Sequence, residues 1–309
     1  MTTAGATLPS RRRWRLSEET RWALIFLSPW IIGFVIFTAG PMLASLFISF
    51  TEYNVIKPPE FVGLDNYEAM LRDRRIPLAL ANTAYFAVLH VPGVILISLG
   101  LAMLLLRVGR AAGFFRTAYY LPSLTPAVAI GTLFLLLLAG NGLVNQVLGI
   151  FGIDGPNWLT DPQWVKPGIV IMSLWTLGST VVIYFAALRN VPLELYEAAR
   201  IDGANAWQQF RSITLPFISG AIFFTVIVNT IAALQIFAEV FTMFFGARSG
   251  PGQSSALFYV IYLFQKAFKD LDFGYASAMA WVLFVIILII TFIQIRLSDR
   301  FVFYAGDDK

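Results

Sequence analysis

The sequence predicts an all-α integral membrane protein with six transmembrane helices, and three observations carry that reading. Hydrophobic residues make up 58% of the 309 and charged residues 13%, with mean hydropathy +0.73, whereas a soluble domain carries about 25% charge. Six apolar runs are each long enough to cross about 30 Å of hydrocarbon at about 1.5 Å per residue. No stretch between them exceeds about thirty residues, too short to bury a core of its own. Any soluble domain the function needs must therefore come from another chain.

In chain order, residues 1–21 read as a cytoplasmic N-terminal tail with Arg11, Arg12, Arg13, Arg15 and Arg21. The apolar run that follows, 22–50, is far longer than a signal-peptide core and has no clear small-x-small cleavage site. It is span 1, with Pro29, Gly33, Gly40 and Pro41 tolerated as membrane helices tolerate them. Spans 2 to 6 follow near 81–106, 117–139, 167–188, 219–246 and 274–295. The transmembrane domain is thus 22–296, interrupted by a polar cytoplasmic loop at 190–218, and 297–309 is a cytoplasmic C-terminal tail. With both termini inside, fourteen lysines and arginines fall on the cytoplasmic side and eight outside, the sense of the positive-inside rule. Two outer segments are apolar but too short to span. In 141–153, Leu143, Val144, Val147, Leu148 and Phe151 recur at helical spacing, predicting a helix lying in the interface. The same is expected of 257–268; were it a further span, the C-terminus would lie outside.

The polar loop has internal order. Glu197-Ala198-Ala199-Arg200 reads as the end of a short helix, with Leu195 and Ala199 on one side. Asp202-Gly203 breaks it, since glycine suits the left-handed conformation that ends helices. After Ala204, a second helix is expected from Ala206 to Ile213, stopping before Leu215-Pro216. The product is a helix-turn-helix elbow whose small alanines let a partner surface approach closely.

This string, Glu-Ala-Ala with Gly203 four residues beyond Ala199 and then Ile213-Thr214-Leu215-Pro216, resembles the coupling loop of ABC importer permeases. Outer stretches are similar to the carbohydrate-uptake permeases of that superfamily, the sugar, maltose and glycerol-phosphate type. They include 61–67 (Phe-Val-Gly-Leu-Asp-Asn-Tyr), Asn82-Thr83, Tyr120-Leu121-Pro122, Trp158-Leu159, Gly250-Pro251-Gly252 and 273–278. Ser249 stands where the family more often has a further glycine. The resemblance covers roughly 22–300 and implies a type I ABC importer permease fold. Its early outer motif and its Asp-Asp-Lys ending look more like the first of the family's two permease subunits. The implied partners are a second permease subunit, a dimer of ATP-binding subunits, an extracytoplasmic solute-binding protein and membrane lipid, with no nucleic acid. Within the elbow, Glu197 would make polar contacts with the ATPase, Ala198, Ala199 and Ala204 would keep the tip narrow, and Asp202-Gly203 would make the turn. Leu215-Pro216 would set the exit into span 5. Gly203→Asp is expected to abolish transport while leaving membrane insertion intact.

Catalysis and cofactors find no support in the residues. None of the five lysines sits in a Gly-x-x-x-x-Gly-Lys-Ser/Thr frame, so ATP is hydrolysed by a separate subunit. Absence of cysteine removes disulfides and thiolate chemistry. The single histidine, His90, reads as a packing residue beside Pro92. Candidate path residues are the polar and small ones inside spans 4 and 5. Asn229 lies near mid-depth with Ala232, Ala233 and Ile236 on its face, which suits a substrate passage or close helix packing; Gln235 projects about 120° away. Glu239 is either an interfacial carboxylate or part of an outer vestibule. Trp175 with Ser179, and Thr176 with Thr180, form i, i+4 pairs; the indole is either a bundle filler or a platform for a sugar ring. The rival reading is an ion-gradient-driven secondary transporter of a small polar solute, which needs a deep carboxylate or histidine. Only Glu239 or His90 could serve.

Overall fold

The computed structural model describes residues 17–246 and 251–298. The expected tails, apart from Ser17 to Arg21 and Leu297-Ser298, lie outside these residues, as do Arg248, Ser249 and Gly250. Among the described residues, four helices are long and apolar enough to cross a membrane, or six if two bent pairs each count as one span.

The first, α1 (Glu18–Ile48), is capped by Ser17, whose side chain accepts from the Thr20 N–H, and widens into a π turn at Val35–Ala39. It buries none of its most apolar stretch. Two short strands, Thr51–Glu52 and Glu60–Phe61, then pair antiparallel ahead of α2 (Asp65–Arg72). Span 2 is α3 (Arg75–Arg107), which passes Pro92 without interruption.

Span 3 differs from the continuous helix expected. It is α4 (Ala112–Tyr120), a 3-10 turn at Leu121–Leu124, and α5 (Ala127–Leu137), bent by 99°. The cause is local: Thr125, immediately before Pro126, is pushed to the extended region at ψ 132°, because a proline ring disfavours helix in the residue before it. After α6 (Leu143–Ile150), span 4 is also two helices, α7 (Pro162–Leu174) and α8 (Gly178–Arg189), bent by 50°. The elbow follows as α9 (Leu193–Ile201) and α10 (Ala206–Gln209). Span 5 is α11 (Ser219–Leu234) and α12 (Ala238–Phe244), and span 6 is α14 (Phe273–Ser298).

Between these last two spans lies α13 (Tyr259–Phe264), running on through a π turn at Gln265–Lys269. It is too short to be a span, and protein covers its apolar face. Leu257, Phe258, Tyr259, Ile261 and Tyr262 are all buried in the main core, and the Tyr259 N–H donates to Thr83 Oγ1. An apolar face looks the same in sequence whether lipid or protein covers it. By contrast, α6 is amphipathic as expected: Val144 and Leu148 pack on the core, while Leu143, Ile150 and Phe151 stay exposed.

The loop motifs quoted above staple these elements together. Asn66 donates to the carbonyls of Ser49 and Thr51 at 3.0 and 2.9 Å. A Cβ at Gly274 would meet Thr51 O at 2.0 Å, and one at Gly252 would meet Leu159 O at 2.3 Å. Asn82 donates to the Ser254 and Leu257 carbonyls, and the Trp158 indole donates to Asn145. Asp73, between α2 and α3, accepts from the Tyr262 and Tyr275 hydroxyls and the Arg75 N–H. Burial pushes its carboxyl up, but those three hydrogen bonds and the nearby Lys266 charge together outweigh burial and hold it below the ordinary value of 3.8. Tyr262 is pushed up by the same burial and by donating to Asp73.

Candidate functional site

The bends place polar groups around a cavity. Where α7 and α8 break, Ser173, Thr176, Ser179 and Thr180 turn toward α11, and where α11 ends, the chain from Gln235 to Glu239 folds across its side. With His90 of α3, these enclose a cavity of about 570 Å³, within the range of small-ligand sites. Six of the seven path candidates line it: Thr176, Ser179, Asn229, Ala233, Ile236 and Glu239. Asn229, Ala232 and Ala233 therefore face open space, and Glu239 borders the same cavity.

Trp175 is the exception. It caps α7 and packs edge-on against Phe134, with ring centroids 5.7 Å apart, and is not part of the lining. The break at 175–177 also dissolves the supposed i, i+4 pairs, because Trp175 and Thr176 lie outside both helices. One lining residue was misplaced by sequence reasoning: Gln235 does not project away from Asn229, since α11 ends at Leu234 and Gln235 leaves helical geometry at φ −111°, ψ 12°. His90 packs as expected, stacked on Phe86 and 2.7 Å from Ser173 Oγ, and it also borders the cavity. Its polar neighbour lies 83 residues away.

The elbow forms as the residues dictate up to its second helix. The Ala204 N–H donates to Ala199 O at 2.8 Å and the Gly203 N–H to Arg200 O at 3.1 Å, with Gly203 at φ +81°. This is a Schellman ending, which favours glycine at that position. Asn205 and Gln208 then form a capping box, a start signal not singled out in the sequence. The second helix does not stop before Pro216. It widens into a π turn at Phe210–Thr214 and continues as Leu215–Phe217, where the proline's missing N–H falls at a turn already opened. Tyr196 Oη and Thr214 Oγ1 lie 2.8 Å apart, tying the two limbs. Glu197 and Ala198 are exposed, as are Leu193, Ile201 and Trp207, so the elbow presents an exposed carboxylate, small residues and apolar side chains together.

An all-helical membrane subunit with a polar cavity between its broken spans defines a transport protein. Residues 94–303 match the family described as binding-protein-dependent transport system inner membrane component, and the chain belongs to that family. It is the permease of an ABC importer in a cell membrane, crosses that membrane several times, and is not itself an enzyme. The probable ABC transporter permease protein YesP of Bacillus subtilis (strain 168) is 36% identical over 312 residues, covering 100% of both chains. The lactose transport system permease protein LacF of Rhizobium radiobacter is 35% identical over 291 residues, covering 92% of this chain and 94% of its own. Among solved structures, a bacterial ABC transporter involved in import of the acidic polysaccharide alginate superposes with a TM-score of 0.78 at 25% identity, covering 91% of this chain and 96% of that one.

Proposed function

We propose that the chain forms half of the pathway by which a sugar or oligosaccharide, delivered by an extracytoplasmic binding protein, enters the cell. The other parts are a second permease subunit and a dimer of ATP-binding subunits, and this chain is the first of the two permeases. The observation that carries the reading is the cavity of hydroxyls, amides and one carboxylate between spans 2, 4 and 5, a lining suited to a polyhydroxylated solute. Similarity to a lactose permease supports the same class. The elbow supports the ATPase partner. Its exposed Glu197 and Ala198, the half-buried Ala199, and the turn at Asp202, Gly203 and Ala204 form the docking tip, and Leu215-Pro216 joins it to span 5. ATP binding draws the ATPases together, the elbows follow, and the pathway switches between inward- and outward-facing states. The switch is driven because each state contacts the ATPase differently. Both termini and the elbow lie in the cytoplasm, as the lysine and arginine distribution supports.

Glu239 in the cavity is the group an ion-gradient carrier would use, so the test must separate the two. The chain is tagged in its native host, purified, and the eluate assayed for ATPase. Recovery of a second permease and an ATPase is the expected result. A chain that purifies alone and moves solute into liposomes without ATP would give the case to the ion-driven carrier.

A further inference from the structure

We propose that His90 reads a hydroxyl of the transported solute, and that this cavity, with one carboxylate and no cation in its lining, selects uncharged saccharides. The proposal rests on the sugar-importer reading and sharpens it.

A serine hydroxyl has one proton to give. Ser173 gives its proton to Val170 O at 2.7 Å, so the 2.7 Å contact between Ser173 Oγ and His90 Nδ1 is made with the imidazole donating. That fixes the proton of the neutral ring on Nδ1 and leaves a lone pair on Nε2. Stacking on Phe86, with ring centroids 4.9 Å apart and an interplanar angle of 17°, holds the ring's orientation. Among the described residues, no protein group bonds Nε2, and His90 borders the cavity.

Thr176 spends its hydroxyl proton on Ser173 O at 3.0 Å and offers lone pairs, while Asn229 spends one of its two N–H bonds on Thr225 O at 2.8 Å and keeps the other beside a free Oδ1. Gln235, Ser179 and Thr180 can both give and accept. Among the described residues, Glu239 is the only charged side chain in the lining, and no lysine or arginine borders the cavity. A sugar hydroxyl, donor and acceptor at once, is matched by such a surface. A carboxylate, sulfonate or phosphate brings a negative charge that meets another carboxylate and no cation.

The test uses the complete transporter with its binding protein in proteoliposomes, and reads uptake at saturating binding protein. Lactose, maltotriose and arabinotriose are the neutral probes and an oligomannuronate the acidic one. The expected result is uptake of a neutral probe and not of the acidic one. For the carried sugar, removing one particular hydroxyl lowers wild-type uptake about tenfold, the loss of one hydrogen bond in a dry site. In His90→Asn, which keeps a donor for Ser173 and has nothing at the Nε2 position, the same deoxy analogue is carried as well as its parent. His90→Gln, with an amide reaching the Nε2 position, restores part of the discrimination. Uptake of the acidic probe alone overturns the proposal and leaves the sugar importer standing, and so does a deoxy series that responds identically in wild type and His90→Asn. Carriage of neither kind of saccharide overturns both.

Discussion

Gly203 shows how a single residue can matter without touching anything. A Cβ there meets no atom within 4 Å, yet its φ is +81°, so the constraint is backbone conformation alone. A β-branched side chain is a poor fit to that region, while asparagine and aspartate enter it most readily. Gly203→Val is therefore expected to uncouple uptake from ATP hydrolysis, and Gly203→Asn to keep most of it. Gly203→Asp adds a second carboxylate beside Asp202 and tests charge separately. Membrane insertion of all three should match wild type, and co-purified ATPase activity is the readout. At the opposite end of the chain's polar surface, Asp73 acts through what it touches. Removing one of its two tyrosine donors by Tyr262→Phe should lower stability by about 1.5–3 kcal/mol, the scale for a hydrogen bond to a charged group, measured as unfolding in detergent. Because the folded carboxyl is held below 3.8, its contribution is complete above that value and is lost as pH falls through the lower, folded one. Acid melts should show this loss in the wild type below about pH 4, and Asp73→Asn should lack it.

At the scale of elements, the breaks in spans 3 and 4 have different causes, and only one is written locally. Span 3 bends where Pro122 and Pro126 force it. Span 4 has no proline at its break, and there Gly178 lets the helix start press on another backbone: a Cβ would lie 2.0 Å from Tyr119 O and 2.7 Å from Tyr119 C. Gly178→Ala must push α8 off the end of α4, at a cost of about 1–3 kcal/mol as for other overpacking changes. A melting temperature lower than that of a Gly113→Ala control, where a Cβ meets open space, would confirm the contact, and equal melting would refute it. This separates what the sequence made legible from what it hid. The six apolar runs, the elbow's Schellman turn and the stripe of Asn229, Ala232 and Ala233 are all local patterns, readable from run length, glycine placement and helical period. Hidden were features decided by distant partners: Ser173 for His90, Phe134 for Trp175, and the core over Tyr259 and Ile261. Gln235 was misplaced for a related reason, since a helical rotation was extended past the point where α11 ends.

For the molecule as a whole, the cavity and the elbow make sense together only if they lie at different depths along the same helices. Span 5 begins at the elbow, where Leu215 and Pro216 lead into α11, and passes through Glu239 in the cavity wall. The core of Leu99, Val181, Tyr184 and Ile218 joins spans 2 and 4 to that same entry, so packed side chains run from the elbow toward the cavity, the route the proposed ATPase push would take. Such a push can come from an ATPase only if the elbow is cytoplasmic, and the chain's lack of cysteine makes this simple to check. Ile201 on the elbow is 87% exposed and Ile56, beyond the short strand after α1, is 82% exposed. Single Ile201→Cys and Ile56→Cys variants should tolerate the change, and a membrane-impermeant maleimide should distinguish them. Ile201→Cys is expected to react in inside-out vesicles and Ile56→Cys in right-side-out ones. The reverse pattern would put the elbow outside, away from ATP, and remove the basis for ATP-driven import by this chain.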